Sequence, residues 1–290
     1  MLGTGDFALP TFLALLGSRH EVVALITQPD RPQGRKQELI PSRIKLAAVE
    51  RGLRVDQPDS INAPDGVALV RSLTPDLLVT AAYGQILSAE LLGVPPLGGI
   101  NLHGSVLPAY RGAAPVARAI QNGDTESGVT VIRMSPRVDA GGMIAIARTP
   151  IGPDETAGEL EDRLALIGAP LVVSVIEDLL AGRGQVLPQD PSLATKAPKL
   201  TKDDGRIDWS RPAQAIHDLV RAMQPWPVAR TAWQSSEPGG APFSLIVHRT
   251  TVEPGGEAVL RPAPPSVRSR RRSSGGAHPS SRRGRRRPAS

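Results

Sequence analysis

Asn101 and His103 stand two residues apart in the stretch GGINLHGSVLPAYRG, residues 98–112. In an extended strand, side chains at i and i+2 project to one face, so this pair points the same way while Leu102 faces the opposite layer. Gly104 breaks the strand and leaves the pair at its C-terminal end, where open α/β folds bind their ligands. An asparagine amide can donate to an oxygen on which charge develops, and an imidazole can move protons near neutral pH. A capping asparagine beside a satisfied structural histidine would give the same pattern, and both readings stand at this point.

A third group is Asp139 in RVDAGG, residues 137–142, a turn between two strand-like runs. Gly141 and Gly142 allow a close backbone approach there. A carboxylate beside His103 would orient the imidazole and stabilise its charged form, although an ordinary turn aspartate is the plainer alternative. Ser105 lacks the setting of an activated nucleophile. His20, His217 and His248 are isolated, and no His, Asp and Glu set has metal-ligand spacing. An Asn, His and Asp set without its own nucleophile suits direct acyl transfer to an amine carried by the substrate.

Two further motifs are weaker. GTGDFA, residues 3–8, fits the G-x-G-x-x-A pattern of dinucleotide sites, but only Met1 and Leu2 precede it, so a tight strand-to-helix turn is the simpler reading. Residues 28–45 carry five basic and two acidic side chains, with one glycine and three prolines that favour a loop. That loop is either solvated surface or a finger contacting phosphates.

These groups need a scaffold, and the sequence alternates short aliphatic runs with amphipathic stretches. Helix is expected over Phe7–Leu16 (capped by Asp6 and ended by Gly17), Ser42–Arg51, Val67–Leu73, Ala114–Gln121 and from Thr156 to about Leu180. The last of these opens with a Thr156/Glu159 capping box and closes before Gly182. Strands are expected at Val22–Ile26, Asp76–Ala82, Gly99–His103, Ser127–Met134 and Met143–Thr149, the last two as an antiparallel pair around Asp139. This order predicts a Rossmann-like α/β domain with an open, mostly parallel sheet. Its first strand is short, so either a strand begins upstream or the sheet has lost most of a central strand. The expected boundaries are residues 1–182 for this domain and 183–205 for a linker without periodicity. Residues 206–260 read as an incomplete β-rich domain with strands at Arg206–Trp209, Arg230–Gln234 and Phe243–Val252 around a helix at Ala213–Met223.

Charge separates the last segment from the rest. The net charge of +6 hides ten arginines and no acid in residues 261–290, while residues 1–260 sum to −4, which excludes a uniformly basic, histone-like body. Twenty-five of those last thirty residues are Arg, Ser, Pro or Gly, too little apolar surface to offset the entropy of ordering, so the tail is expected to be disordered. It reads either as a nucleic-acid-binding arm or as solvated sequence of the kind a frame slip in a GC-rich gene produces. With aromatics at 3%, the core must be aliphatic. The absence of cysteine excludes disulfides, thiolate metal sites and thiol nucleophiles, and fits a reducing cytoplasm. No apolar run reaches the ~20 residues of a membrane span, and the start lacks the features of a signal peptide.

The segments GTGDFALP, VVALITQPDRPQGR, AAYGQIL, GGINLHGSVLPAYRGAAPVARAI, VDAGGMI, KLTKDDGRIDWS and MQPWP follow one another in the order and spacing of a known family. From residue 3 to about residue 234 the chain resembles the methionyl-tRNA formyltransferases, which use 10-formyltetrahydrofolate. The resemblance implies a Rossmann-like catalytic domain that transfers formyl to the α-amino group of methionine on initiator tRNA, followed by an OB-like tRNA-binding domain. It implies Asn101, His103 and Asp139 as the catalytic set, with folate near Tyr83, Gly84, Ile86, Leu87, Ser105, Leu107, Pro108 and Val138. It implies tRNA contacts from Arg35 and Lys36 in the basic loop and from Lys196, Lys199 and Lys202 in the linker. The expected protein is a cytoplasmic monomer with no metal and no membrane contact. The sequence departs from the family where Gly5 replaces a proline and beyond about Thr250, where the tail replaces the final strands, so that a barrel is not expected to close. Competing readings are a formyltransferase acting on a small nucleotide or sugar amine, an RNA-binding protein without catalysis, and a dinucleotide-dependent oxidoreductase.

Overall fold

Strand β1 (Leu2–Gly3) has two residues, yet it lies in the interior of a seven-stranded sheet with a parallel partner on each side. The computed structural model describes residues 1–33, 38–233 and 243–253. After β1 come α1 (Ala8–Leu16), β2 (Leu25–Ile26), the antiparallel pair β3 (Arg31–Gln33) and β4 (Glu38–Ile40), α2 (Arg43–Val49), β5 (Val55–Asp56) and α3 (Pro64–Ser72). Then follow β6 (Leu78–Ala81), α4 (Ala89–Leu92), β7 (Gly99–His103), β8 (Arg111–Gly112), α5 (Pro115–Gln121), β9 (Glu126–Arg133), β10 (Met143–Pro150) and α6 (Ala157–Leu180). The chain continues through β11 (Lys196–Ala197), α7 (Ala213–Ala222), β12 (Ala229–Trp233) and β13 (Phe243–Val247). The sheet order is β10-β9-β7-β6-β1-β2-β5, parallel from β7 to β5, with β9 and β10 antiparallel to their neighbours.

Alternation along the strands divides the buried side chains into two layers. Leu25, Val79, Ala81, Ile100, Leu102, Val129 and Val131 join Phe12, Ile44, Ile120, Leu160 and Leu164 in one cluster. Their neighbours Ile26 and Leu78 join Leu2, Val67, Val70 and Leu91 in another. One sheet thus carries helices on both faces, as parallel strands require. The core is aliphatic, in line with the composition. Truncating a fully buried leucine such as Leu164 to alanine is expected to cost about 2–5 kcal/mol.

Several element ends differ from the sequence expectation. No side-chain cap opens α1, because its N-cap position is Phe7 and Asp6 lies one residue before it. Gly17 ends that helix in ordinary right-handed geometry, whereas Gly52 and Gly182 take positive φ beyond α2 and α6. Only Leu25–Ile26 of the Val22–Ile26 run forms strand, because β1 offers so short a partner. Beyond Met1, whose amine donates to the Ala24 carbonyl at 2.8 Å, a cleft of about 320 Å3 opens between residues 22–24 and 75–78. The Thr156/Glu159 capping box forms with both reciprocal bonds.

Residues 183–205 are tied to the sheet domain rather than running free. Leu187 bridges Met143, β11 pairs in parallel with β8, and short 3-10 turns occupy Pro191–Leu193 and Lys202–Gly205. Residues 1–252 cluster as one compact unit. Beyond the linker, α7 packs against α5, and β12 pairs with β13 in antiparallel register. The Arg206–Trp209 run contributes only a bridge from Arg206 to Arg230. Closure of a barrel and the state of the arginine-rich tail concern residues outside those described. No helix among the described residues is long and apolar enough to cross a membrane.

Candidate active site

Asn101 sits beside Thr80 of β6 in the parallel register, and His103 ends β7 opposite Thr130 of β9. Leu102 between them packs on α6 at Gly168, where a Cβ would come within 2.5 Å of the leucine side chain. Asn101, His103 and Asp139 all line one cavity of about 530 Å3 at the C-terminal end of β6 and β7.

Each of the three polar groups is held by a neighbour. The Thr80 hydroxyl lies 2.7 Å from Asn101 Oδ1 and donates its one proton there, the shortest of its contacts, the Ile100 carbonyl standing farther off at 3.1 Å. With Oδ1 engaged, the Asn101 Nδ2 hydrogens remain the donors. His103, only 6% exposed, has Nε2 at 2.9 Å from the Tyr110 carbonyl oxygen. A carbonyl only accepts, so Nε2 carries the proton there and Nδ1 is the nitrogen that faces Asp139. Nδ1 stands 3.6 Å from Asp139 Oδ2, an electrostatic contact longer than a hydrogen bond. The same Oδ2 accepts the Gly112 N–H at 2.9 Å.

The backbone carrying Asp139 is unusual. Its φ of +47° is left-handed, a region that side-chain-bearing residues enter rarely. Gly141, two residues on, lies so close to β9 that a Cβ would fall 1.7 Å from the Arg133 carbonyl oxygen. The tyrosine whose carbonyl holds His103 is itself fixed. Its amide donates to Thr195 Oγ1 at 2.8 Å, and its hydroxyl donates to Asp124 Oδ2 at 2.7 Å. Burial, reinforced by the Asp124 carboxylate, pushes that phenol up to about 12.

Of the residues associated with folate, Tyr83, Gly84, Ile86, Leu87 and Val138 line the cavity. Ser105, Leu107 and Pro108 are not among its lining residues. The first two are buried in the loop after β7: Ser105 Oγ donates to the Ala109 carbonyl at 2.7 Å, and the Leu107 amide donates to Thr130 Oγ1 at 3.1 Å. They anchor the loop that presents the Tyr110 carbonyl. Lys196, Lys199 and Lys202 are exposed on the strap after α6, while Arg35 and Lys36 lie outside the described residues. In the GTGDFA turn, the Thr4 hydroxyl donates to the Tyr83 carbonyl at 3.2 Å and accepts the Gln28 amide at 3.1 Å, so the motif ties β1 to its neighbours. Among the described residues no group of three or more His, Asp or Glu side chains could hold a metal ion.

Reasoning from the sequence missed Thr80, Tyr110 as a carbonyl, and Gln189. Thr80 carried a weak signal, since it lies near the end of a strand adjacent to β7. Gln189 carried none, because no local pattern ties position 189 to position 139.

Comparison with known proteins identifies the family. A family model described as formyl transferase matches residues 1–176, and one described as formyl transferase, C-terminal domain, matches residues 199–257. The methionyl-tRNA formyltransferase of Moorella thermoacetica is 47% identical over 230 residues, covering 79% of this chain and 74% of that protein. That of Pseudomonas putida GB-1 is 50% identical over 229 residues, with the same coverage of 79% and 74%. Among solved structures, a 4-N formyltransferase from Francisella tularensis aligns with a TM-score of 0.65 at 17% identity, covering 87% of this chain and 97% of that one. An N-formyltransferase from Helicobacter canadensis, in complex with folinic acid and dTDP-3-aminofucose, aligns with a TM-score of 0.61 at 18% identity, covering 76% and 78%. The structural matches speak to the fold alone; with the family models and the identity to curated relatives, they place the chain in the formyl transferase family, among the methionyl-tRNA formyltransferases.

Proposed function

We propose that this chain transfers a formyl group from 10-formyltetrahydrofolate to the α-amino group of methionine on initiator methionyl-tRNA. The observation that carries the reading is the convergence of Asn101, His103 and Asp139 on one cavity, with Asn101 Oδ1 and His103 Nε2 both engaged by the scaffold. That leaves an amide donor and one imidazole nitrogen available to the cavity.

The cavity suits a flat heteroaromatic donor. Ile86, Leu87, Ile132, Met134 and Val138 supply apolar walls, and the glycine at position 84 lets backbone approach. Tyr83 lines the cavity as well, and its carbonyl is held by the Thr4 hydroxyl and the Gln28 side-chain amide. When bound there, the folate supplies an activated formyl carbon. The Asn101 amide then donates to the formyl oxygen as negative charge builds on it. His103 Nδ1 would take the proton that the attacking amine loses and return it to the folate nitrogen as the bond from that nitrogen to the formyl carbon breaks and tetrahydrofolate leaves, with Asp139 beside the imidazole throughout.

For the acceptor, the reading rests on curated relatives about half identical to this chain and on the exposed lysines of the strap. Lys196, Lys199 and Lys202 would meet the phosphate backbone of the tRNA, together with Arg35 and Lys36. On this reading the protein works in the cytoplasm as a monomer. The test is a formylation assay with charged initiator tRNA beside a nucleotide-linked amino sugar, 10-formyltetrahydrofolate being the donor in both. Formylation of the tRNA alone is expected; turnover of the sugar amine alone would overturn the assignment of acceptor.

A further inference from the structure

Gln189 lies in the strap after α6, fifty residues from Asp139, and is 9% exposed. Its Nε2 donates to the Asp139 carbonyl at 2.8 Å and to the Gly141 carbonyl at 2.7 Å. Its Oε1 accepts from Arg111 Nε at 2.9 Å and Nη2 at 2.6 Å. The amide orientation follows from chemistry, since two carbonyls need a donor and a guanidinium needs an acceptor. Arg111 therefore fixes which way the glutamine points, and the glutamine fixes the turn.

The surrounding strap is anchored on both sides of this contact. Leu187 exchanges both backbone hydrogen bonds with Met143, each at 2.8 Å. Lys196 and Ala197 pair with Arg111 and Gly112, and the Arg111 amide donates to the Thr195 carbonyl at 2.8 Å. The segment thus joins the two pieces of chain that reach Asp139: the turn that carries it, and the loop whose Gly112 N–H binds its carboxylate. Asp139 needs such support because its left-handed backbone is intrinsically unfavourable, a conformation that persists only where the surroundings enforce it.

We infer that Gln189 is a positioning residue for the formyl transfer proposed above, holding the backbone of Asp139 so that its carboxylate faces His103. The inference rests on the reading in which that carboxylate serves His103. It also gives Arg111 a task, orienting Gln189.

The test compares full-length wild type with Gln189→Glu, Gln189→Leu and Asp139→Asn in initiator tRNA formylation, with melting curves alongside. Gln189→Glu keeps an acceptor for Arg111 but offers no N–H to the two carbonyls. Gln189→Leu fills similar volume and offers neither. Both are expected to lower kcat about tenfold to a hundredfold while KM for folate and for tRNA stays within about twofold. The split between a lowered kcat and unchanged KM values, with melting temperatures near wild type, separates a misplaced Asp139 from a general loss of packing, which would lower the melting temperature and raise both KM values. Wild-type kcat in both Gln189 variants, with Asp139→Asn inactive, would overturn the positioning role and leave the reading of the site standing. Full turnover in Asp139→Asn would overturn both.

Discussion

The imidazole of His103 is held between two oxygens of different kinds: the Tyr110 carbonyl 2.9 Å from Nε2, and the Asp139 carboxylate 3.6 Å from Nδ1. The first contact is a true hydrogen bond to a backbone atom and fixes the ring plane. The second is too long for one, so Nδ1 is not hydrogen-bonded to the carboxylate it faces. On the proposed reading, one nitrogen of His103 serves the scaffold and the other faces Asp139 and the cavity.

Thr80 does for Asn101 what Tyr110 does for His103. Replacing it with valine keeps the shape and removes the hydroxyl that holds Oδ1, so the amide loses its fixed orientation. Thr80→Val is expected to lower kcat about tenfold to a hundredfold with folate KM nearly unchanged, whereas Thr80→Ser retains turnover. Steady-state kinetics at saturating tRNA decide this; a valine variant with wild-type kcat would mean that Asn101 needs no help from β6.

Much of this arrangement was legible in the sequence, and the limits are physical. Strand β7 matches its expected ends because glycines bound it and its interior alternates. The β9–β10 pair and the capped start of α6 were equally plain, since turn glycines and a capping box are local signals. Asp139 could be placed near His103 because both end up at one edge of one sheet. The contacts of Gln189, Tyr110 and Thr80 join segments 21 to 50 residues apart or engage backbone atoms, and neither has a periodicity to read. Ser105 and Leu107 show the opposite case: they lie in an informative motif, yet they brace its loop rather than line the cavity.

The entry into α6 should carry an acid-sensitive share of stability. Glu155 is opposed by burial, which pushes its carboxyl up, but hydrogen bonds from Arg163 and from the Gly152 amide outweigh that and hold it below its ordinary 4.5. A carboxyl lowered in the folded state stabilises fully above its unfolded value and loses that contribution as pH falls through the folded value. Glu155→Gln should therefore cost about 1–2 kcal/mol at pH 7, and the gap to wild type should narrow as pH falls below the unfolded value of 4.5 and through the lower folded one. Denaturant titrations followed from pH 7 down into that acid range check this, and a gap undiminished to the lowest pH at which the fold persists would show that the ion pair is not its source.

Charge reversal at Arg35 and Lys36 tests the basic loop apart from the catalytic set. The double variant is expected to raise the tRNA KM and flatten its salt dependence, with kcat little changed, because each lost phosphate contact removes one released counterion. An unchanged tRNA KM would make the loop solvated surface.

Single-turnover formylation by His103→Ala, with folate affinity measured on the same preparation, bears most directly on the site. The rate is expected to fall about a hundredfold to ten-thousandfold while folate binds as in wild type. Near-normal formylation by that variant would contradict it.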